Sequence, residues 1–221
     1  MSLKRLSLWQ CQGLLHVLRD QPELEELRLG WSCPGLENLE KTDVPKLQAL
    51  TASLQEAAHL VPGRPIQRLD LNTSFGSPDF DLQAFDRLSL STRPITYFSV
   101  ALYHPREDEG VRAAIRAFAR NWPNIESLVL TVAGPISGQT ILDEIPSFQS
   151  IRELAFLDAR LATADDLASS DLSHDYGILQ ENPLEDWDQL FSRLKELCPT
   201  LVKAWHTPLT IFYGCCCGLS M

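Results

Sequence analysis

Residues 22–29 read Pro22-Glu23-Leu24-Glu25-Glu26-Leu27-Arg28-Leu29, and this phrase decides the fold. A proline precedes one apolar residue, a second apolar residue follows three positions on, and a third two positions after that. The same spacing returns without the proline at Leu3, Leu6 and Leu8, and behind Pro45 at Leu47, Leu50 and Ala52. It recurs at Ile66, Leu69 and Leu71, at Ile95, Phe98 and Val100, and at Ile125, Leu128 and Leu130. Ile151, Leu154 and Phe156 continue the series, and a weaker copy follows Pro199 at Leu201 and Ala204. The second and third apolar positions, two apart, share one face of a short strand. Proline presets the extended entry and ends the helix before it.

The copies begin at residues 3, 24, 47, 66, 95, 125, 151 and 201, mostly 19 to 30 residues apart. That is the period of leucine-rich repeats. One such unit cannot bury its own apolar face; neighbours stacked side by side can. The expected fold is therefore α/β: a leucine-rich-repeat solenoid with a parallel sheet on the concave face and short helices and loops outside. A compact α/β domain would also alternate strands and helices, but it does not account for one phrase recurring along most of the chain. The array is expected over residues 1–206, with an acidic insertion at about 158–183 and a cysteine-rich, disordered apolar tail at 207–221.

The connectors carry their own signals. Leu14, Leu15 and Leu18 suit one face of a short helix, and residues 54–60 allow two turns before Val61-Pro62-Gly63 stops them. Asp79 or Asp81 can cap a helix bearing Leu82, Phe85 and Leu88. Val111, Ile115 and Phe118 make the clearest helical stripe, with Arg112, Arg116 and Arg120 expected on its solvated outer face. Leu184, Trp187, Leu190, Phe191, Leu194 and Leu197 keep helical register up to Cys198-Pro199. Cys11 stands three residues after Leu8, the turn position where such repeats place Asn or Cys, and Ser32 and Ser74 hold the same offset.

Charge and cysteine usage narrow the function. A net charge of −10 speaks against a dedicated nucleic-acid binder. Between Asp158 and Leu190 stand nine acids opposed by Arg160 alone, so −8 of the −10 lies in that stretch. That segment is expected to be a solvated, mobile loop, or a docking segment for a basic partner. The six cysteines show no framework spacing and no secretory leader precedes them, which predicts reduced thiols and an intracellular place, cytoplasm or nucleus. Cys215, Cys216 and Cys217 beside apolar residues would suit acylation, and the run is too short to span a membrane.

Catalytic signatures are missing: no phosphate loop, zinc-protease helix, nucleophile elbow or paired Cys-x-x-Cys occurs. Ser173-His174-Asp175 has triad residue types, but adjacent side chains rarely converge. Asp79, Asp81 and Asp86 lack the glycine and glutamate of a calcium loop, and the five histidines have no ligand spacing. No cofactor and no metal is expected, and the chain reads as a non-enzymatic protein binder. Its candidate face consists of strand residues alternating with the buried leucines: Arg5, Ser7, Glu26, Arg28, Arg68, Asp70, Tyr97, Ser99, Ser127 and Glu153. Arg28, Arg68 and Tyr97 are its expected anchors.

The repeat phrase, the Cys11 turn and the stretch Leu197-Cys198-Pro199-Thr200-Leu201 resemble the leucine-rich-repeat portion of fungal F-box proteins. The resemblance covers most of residues 3–206 and implies substrate recognition for a ubiquitin ligase, with an F-box helix bundle joining a Skp-type adaptor. The chain departs from that pattern in having no F-box-like Leu-Pro-x-Glu start before residue 3, so adaptor binding is expected only with an F-box upstream. The alternative is a free-standing repeat scaffold or regulator with no ubiquitin role.

Overall fold

The computed structural model describes residues 2–9, 13–30, 33, 35–75, 82–103, 108–133, 138–162 and 187–212. Eight strands form one all-parallel sheet in sequential order. They are β1 (Arg5–Leu8), β2 (Glu26–Leu29), β3 (Ala49–Ala52), β4 (Arg68–Phe75), β5 (Tyr97–Tyr103), β6 (Ser127–Ala133), β7 (Glu153–Ala162) and β8 (Lys203–Phe212). Every strand begins two residues after the first apolar residue of its copy. The register joins equivalent positions into columns: Leu6, Leu27, Leu50, Leu69, Phe98, Leu128, Leu154 and Ala204 are neighbours across the ladder.

Between the strands lie α1 (Leu14–Arg19), α2 (Leu54–Leu60), α3 (Leu82–Leu88), α4 (Asp108–Asn121), α5 (Gly138–Glu144) and α6 (Trp187–Leu197). Their apolar residues and the leucine columns close one continuous core on one face of the sheet. Leu27, Leu69, Leu128 and Leu154, the equivalent positions, are all fully buried. Phe85 of α3, Phe98 of β5, and Phe118 and Trp122 at the end of α4 gather where that core is widest, with ring centroids 4.8–6.4 Å apart.

Helix α2 covers the expected residues, and its start is built by a capping box. The Ser53 hydroxyl accepts from the Glu56 N–H, and Glu56 Oε2 accepts from the Ser53 N–H at 2.9 Å. The second oxygen of the buried Glu56 accepts from the Cys33 N–H at 2.7 Å, tying the loop after β2 to the helix. At the other end Gly63 turns the chain with φ 78°, a conformation costly for any residue with a Cβ. The turn brings the Arg64 side chain back beneath α2.

Several expectations change. Residues 138–144, which are not among the helices expected from sequence, form α5 and bury Ile141 and Leu142. Leu197, expected in the apolar stripe of α6, is exposed at the helix end, whereas Leu190 and Leu194 are buried and Trp187 and Phe191 pack partly buried against the core. Strand β7 takes in residues 158–162 at the start of the acidic insertion, and 163–186 lie outside the described residues. Strand β8 takes in 207–212 of the expected tail, paired with β7 as far as Ala162 and Phe212, so residue 206 is not a boundary; 213–221 lie outside. The turn positions Cys11 and Ser32, the cap candidates Asp79 and Asp81, and the Ser173-His174-Asp175 stretch also lie outside. Asn72 sits at a register shift between β4 and β5, and its side-chain amide donates to the Leu29 carbonyl at 2.6 Å, bridging past the short β3.

The arginine stripe of α4 is not simply solvated. Arg116 makes a two-pronged pair with the buried Glu144 of α5 (Nε to Oε2 2.9 Å, a terminal nitrogen to Oε1 2.7 Å), and Arg112 reaches Asp143 at 3.1 Å. Two of the three arginines therefore tie α4 to α5, Arg116 while itself staying exposed, as Arg120 is.

Candidate protein-binding face

Side chains that alternate with the leucine columns emerge on the sheet face opposite the core. Register sorts them into two rows. The first runs Arg5, Glu26, Ala49, Arg68, Tyr97, Ser127, Glu153, Lys203, and the second Ser7, Arg28, Thr51, Asp70, Ser99, Val129, Ala155, Trp205. All the residues singled out from sequence therefore share one face. Arg5, Arg28, Arg68 and Glu153 are exposed, and Glu26, Asp70, Tyr97, Ser99 and Ser127 are half-buried. Sequence reasoning passed over Lys203 and Trp205, although they occupy the same offsets in the eighth copy, because that copy lacks its third apolar residue.

The side chains are held by one another. Arg28 Nε donates to Glu26 Oε1 at 2.7 Å, a pair two residues apart on one strand face. The Arg68 guanidinium lies 3.9 Å from the centre of the Tyr97 ring, so one aromatic face is occupied on the β4 side. At the far edge Lys203 Nζ sits 4.4 Å from the Trp205 ring centre. Ser127 is 3.4 Å from a Glu153 oxygen, a long contact.

Asp70 is the electrostatic oddity. Partial burial pushes its carboxyl above the usual range, against the Ser99 hydroxyl donating to it and the nearby Arg68 and Arg28 charges. The folded chain thus holds this proton to higher pH than the unfolded chain does. Stability supplied by the protonated form is present below the ordinary aspartate pKa and declines as pH rises through the raised one. Asp70→Asn should remove this decline, so the parent and variant urea midpoints should diverge in the variant's favour between pH 3 and neutrality. A variant that loses ground as pH rises would show that the charge, not the proton, is what the face stabilises.

A cavity of ≈ 240 Å³ lies off this face, at the loops entering β5 and β6, lined among others by Ser91, Arg93, Asn121, Trp122 and Asn124. Asn121 Nδ2 and Trp122 Nε1 have no hydrogen-bond partner among the described residues, yet both atoms are closed off, so neither offers its proton to the cavity. Cys33 and Cys198 are both buried, and burial raises the Cys198 thiol above its ordinary pKa, which disfavours the reactive thiolate. Among the described residues no group of three or more His, Cys, Asp or Glu is arranged to hold a metal, and no helix is long and apolar enough to cross a membrane. No protein-family model, curated protein or solved structure matches the chain.

Proposed function

We propose that the chain is a leucine-rich-repeat solenoid whose open sheet face holds another protein, with no chemistry of its own. One observation carries this reading: eight in-register strands turn their apolar columns to one core, while the opposite face presents two rows of mainly polar and aromatic side chains, interrupted by Ala49, Val129 and Ala155. Repeat arrays use such extended faces for binding. The further role of substrate receptor in an F-box-type ubiquitin ligase is supported by the repeat phrase and the Cys198-Pro199-Thr200-Leu201 stretch alone.

The face also speaks to the partner's charge. Its two rows carry Arg5, Arg28, Arg68 and Lys203 against Glu26, Asp70 and Glu153, in a chain whose net charge is −10. The acidity lies elsewhere, so a neutral or acidic partner suits this face better than the basic one expected opposite the insertion.

Affinity capture with the parent chain and with the triple variant Arg28→Ala, Arg68→Ala, Tyr97→Ala is the test. Loss of arginine and aromatic anchors should weaken a captured partner by on the order of tenfold or more, with the melting curve unchanged. Arg120→Ala on the helical side should leave capture intact; Arg112 and Arg116 make poor controls because they clamp α5. A partner lost with Arg120→Ala and kept by the triple variant would move the interface to the helical wall.

A further inference from the structure

Among the described residues, the large apolar side chains that stand exposed gather at the two ends of the stack. Leu3, Trp9 and Val17 belong to the first unit and Leu197 and Val202 to the last, with Trp9 and Val202 each 74 % exposed; Leu90 alone lies between. Single exposed apolar residues are ordinary on a surface, but the end of a repeat array lays its core open unless something covers it. Leu6 and Leu8 on β1 are half-buried for the same reason, whereas Leu27 and Leu29, their counterparts on β2, are fully buried.

The backbone is open at the same two places. At every junction between units, the carbonyl just ahead of one strand accepts two N–H groups from the next unit. Lys4 takes those of Glu25 and Glu26 at the first junction, and Arg152 those of Val202 and Lys203 at the last, all at 2.7–3.1 Å. Among the described residues this series starts from the Lys4 and Arg5 N–H groups, which have no acceptor, and stops at the Val202 carbonyl, which has no donor. The Lys4 and Leu8 carbonyls face β2, so by alternation Arg5 and Ser7 turn their N–H and C=O groups away from it. The Lys203 N–H faces β7, so Ala204 and His206 turn theirs outward from β8. The next outward residue is Pro208, which has no N–H to give. With Leu6 set beside Ala204, as the repeat phrase aligns them, β1 ends at Leu8 beside His206, before a donor from 208 is needed.

We propose that each end is covered by the opposite end of a second copy of this chain, with β1 of one copy pairing in parallel with β8 of the next in the register of the repeat phrase. Lys4 and Arg5 N–H then reach the Val202 carbonyl, and Ser7 N–H reaches the Ala204 carbonyl. Ala204 and His206 N–H reach the Arg5 and Ser7 carbonyls. The exposed apolar residues of α1 and the entry to β1 come against those of α6 and the entry to β8. One contact thus serves both ends, whereas a two-fold pairing of β1 with β1, or of β8 with β8, leaves the other end uncovered. The same register sets Lys203 beside Arg5, a like-charged meeting that weakens the contact. A head-to-tail contact of this kind need not close on itself, so copies add end on end. The open sheet face takes no part in it and runs on from copy to copy.

Analytical ultracentrifugation of the full chain, in reductant so that cysteine cross-links do not contribute, tests this. The parent's average mass should exceed one chain and keep rising with concentration. Trp9→Glu with Val17→Glu spoils the first end, and Leu197→Glu with Val202→Glu spoils the last; all four residues are exposed, so the melting curves should not move. Each double variant alone should stay at the mass of one chain. Mixed in equal amounts they should form a pair and stop there, because each supplies the end the other lacks. Arg5→Glu should tighten the parent's association by replacing a like charge beside Lys203 with an opposite one, which keeps the test valid if a double variant folds poorly. A parent and an Arg5→Glu chain that both remain single at every concentration would overturn the proposal. So would a mixture that fails to pair, or an association that Arg5→Glu leaves unchanged. A dimer that grows no further, is lost with the first-end variant and is kept by the last-end variant would assign β1 to a two-fold pairing instead.

Discussion

Arg64→Met should lower the melting temperature more than any surface substitution in this chain. Arg64 is 1 % exposed, and its guanidinium donates to backbone carbonyls from two elements. Nε reaches the Asp43 carbonyl at 3.0 Å and one terminal nitrogen reaches Glu40 at 2.6 Å. The other reaches Leu60 at 2.8 Å and, at longer range, His59 at 3.4 Å. The first two carbonyls belong to the loop before β3, and the last two are open acceptors at the end of α2. The Arg64 carbonyl in turn accepts from Thr92 N–H and the Ser91 hydroxyl, adding the loop before β5. Three consecutive connectors are therefore pinned by one residue. The same contact restrains Val44, a buried β-branched residue held at φ 47°, where a side chain is strained.

Burial pulls the Arg64 pKa down, opposed by Asp43, yet an arginine remains charged at any working pH. Methionine fills much of the same volume but gives no donor. Buried acceptors left without donors cost roughly 1–3 kcal/mol each, and some will relax to solvent, so the net loss should be on the order of 3–5 kcal/mol. For a chain of this size that is a fall of roughly 6–20 °C. Arg64→Lys should recover little, because a compact ammonium cannot span the planar fork. Arg19→Ala should matter far less: it also reaches this loop, at Asp43 and Asn38, but from a more exposed position. Calorimetry on the three variants decides; an Arg64→Met chain that melts within about 2 °C of its parent would mean the carbonyls find solvent freely.

What was legible in the sequence was whatever repeats. The leucine phrase marks the start of each of the eight strands because burial repeats with the strand's own period, and its phase assigns the candidate residues to one face. Features made between copies left no such trace. Nothing local distinguishes Arg64 from Arg68, four residues on, yet one is buried under α2 and the other lies on the open face. The partners of Arg116 and Glu56 lie 28 and 23 residues away, so neither contact has a local signature. Helix α5 was missed because its seven residues are too few for periodicity to separate from a loop. Lys203 and Trp205 were missed for the opposite reason, a copy too worn to extend the row with confidence of register.

Phe98→Ala should be the costliest truncation in the leucine columns, and it also separates two kinds of fold. The ring is fully buried and meets Phe118 and Trp122 at 5.0 and 4.8 Å and Phe85 at 6.4 Å, joining β5 to α3 and to the end of α4. Deleting it removes the transfer energy and leaves a cavity among rings that cannot collapse far, a loss of roughly 3–5 kcal/mol. Leu6→Ala, at the end of the same column and half-exposed, should lose only a fraction of that. In a stacked array each unit is stabilised chiefly by its neighbours. Amide exchange in the variant should therefore accelerate in β4, β5, β6, α3 and α4 first, with β1 and β2 retaining their protection. A single cooperative α/β block would lose protection evenly along the whole chain, and that result would argue against the repeat-array reading on which the binding face depends.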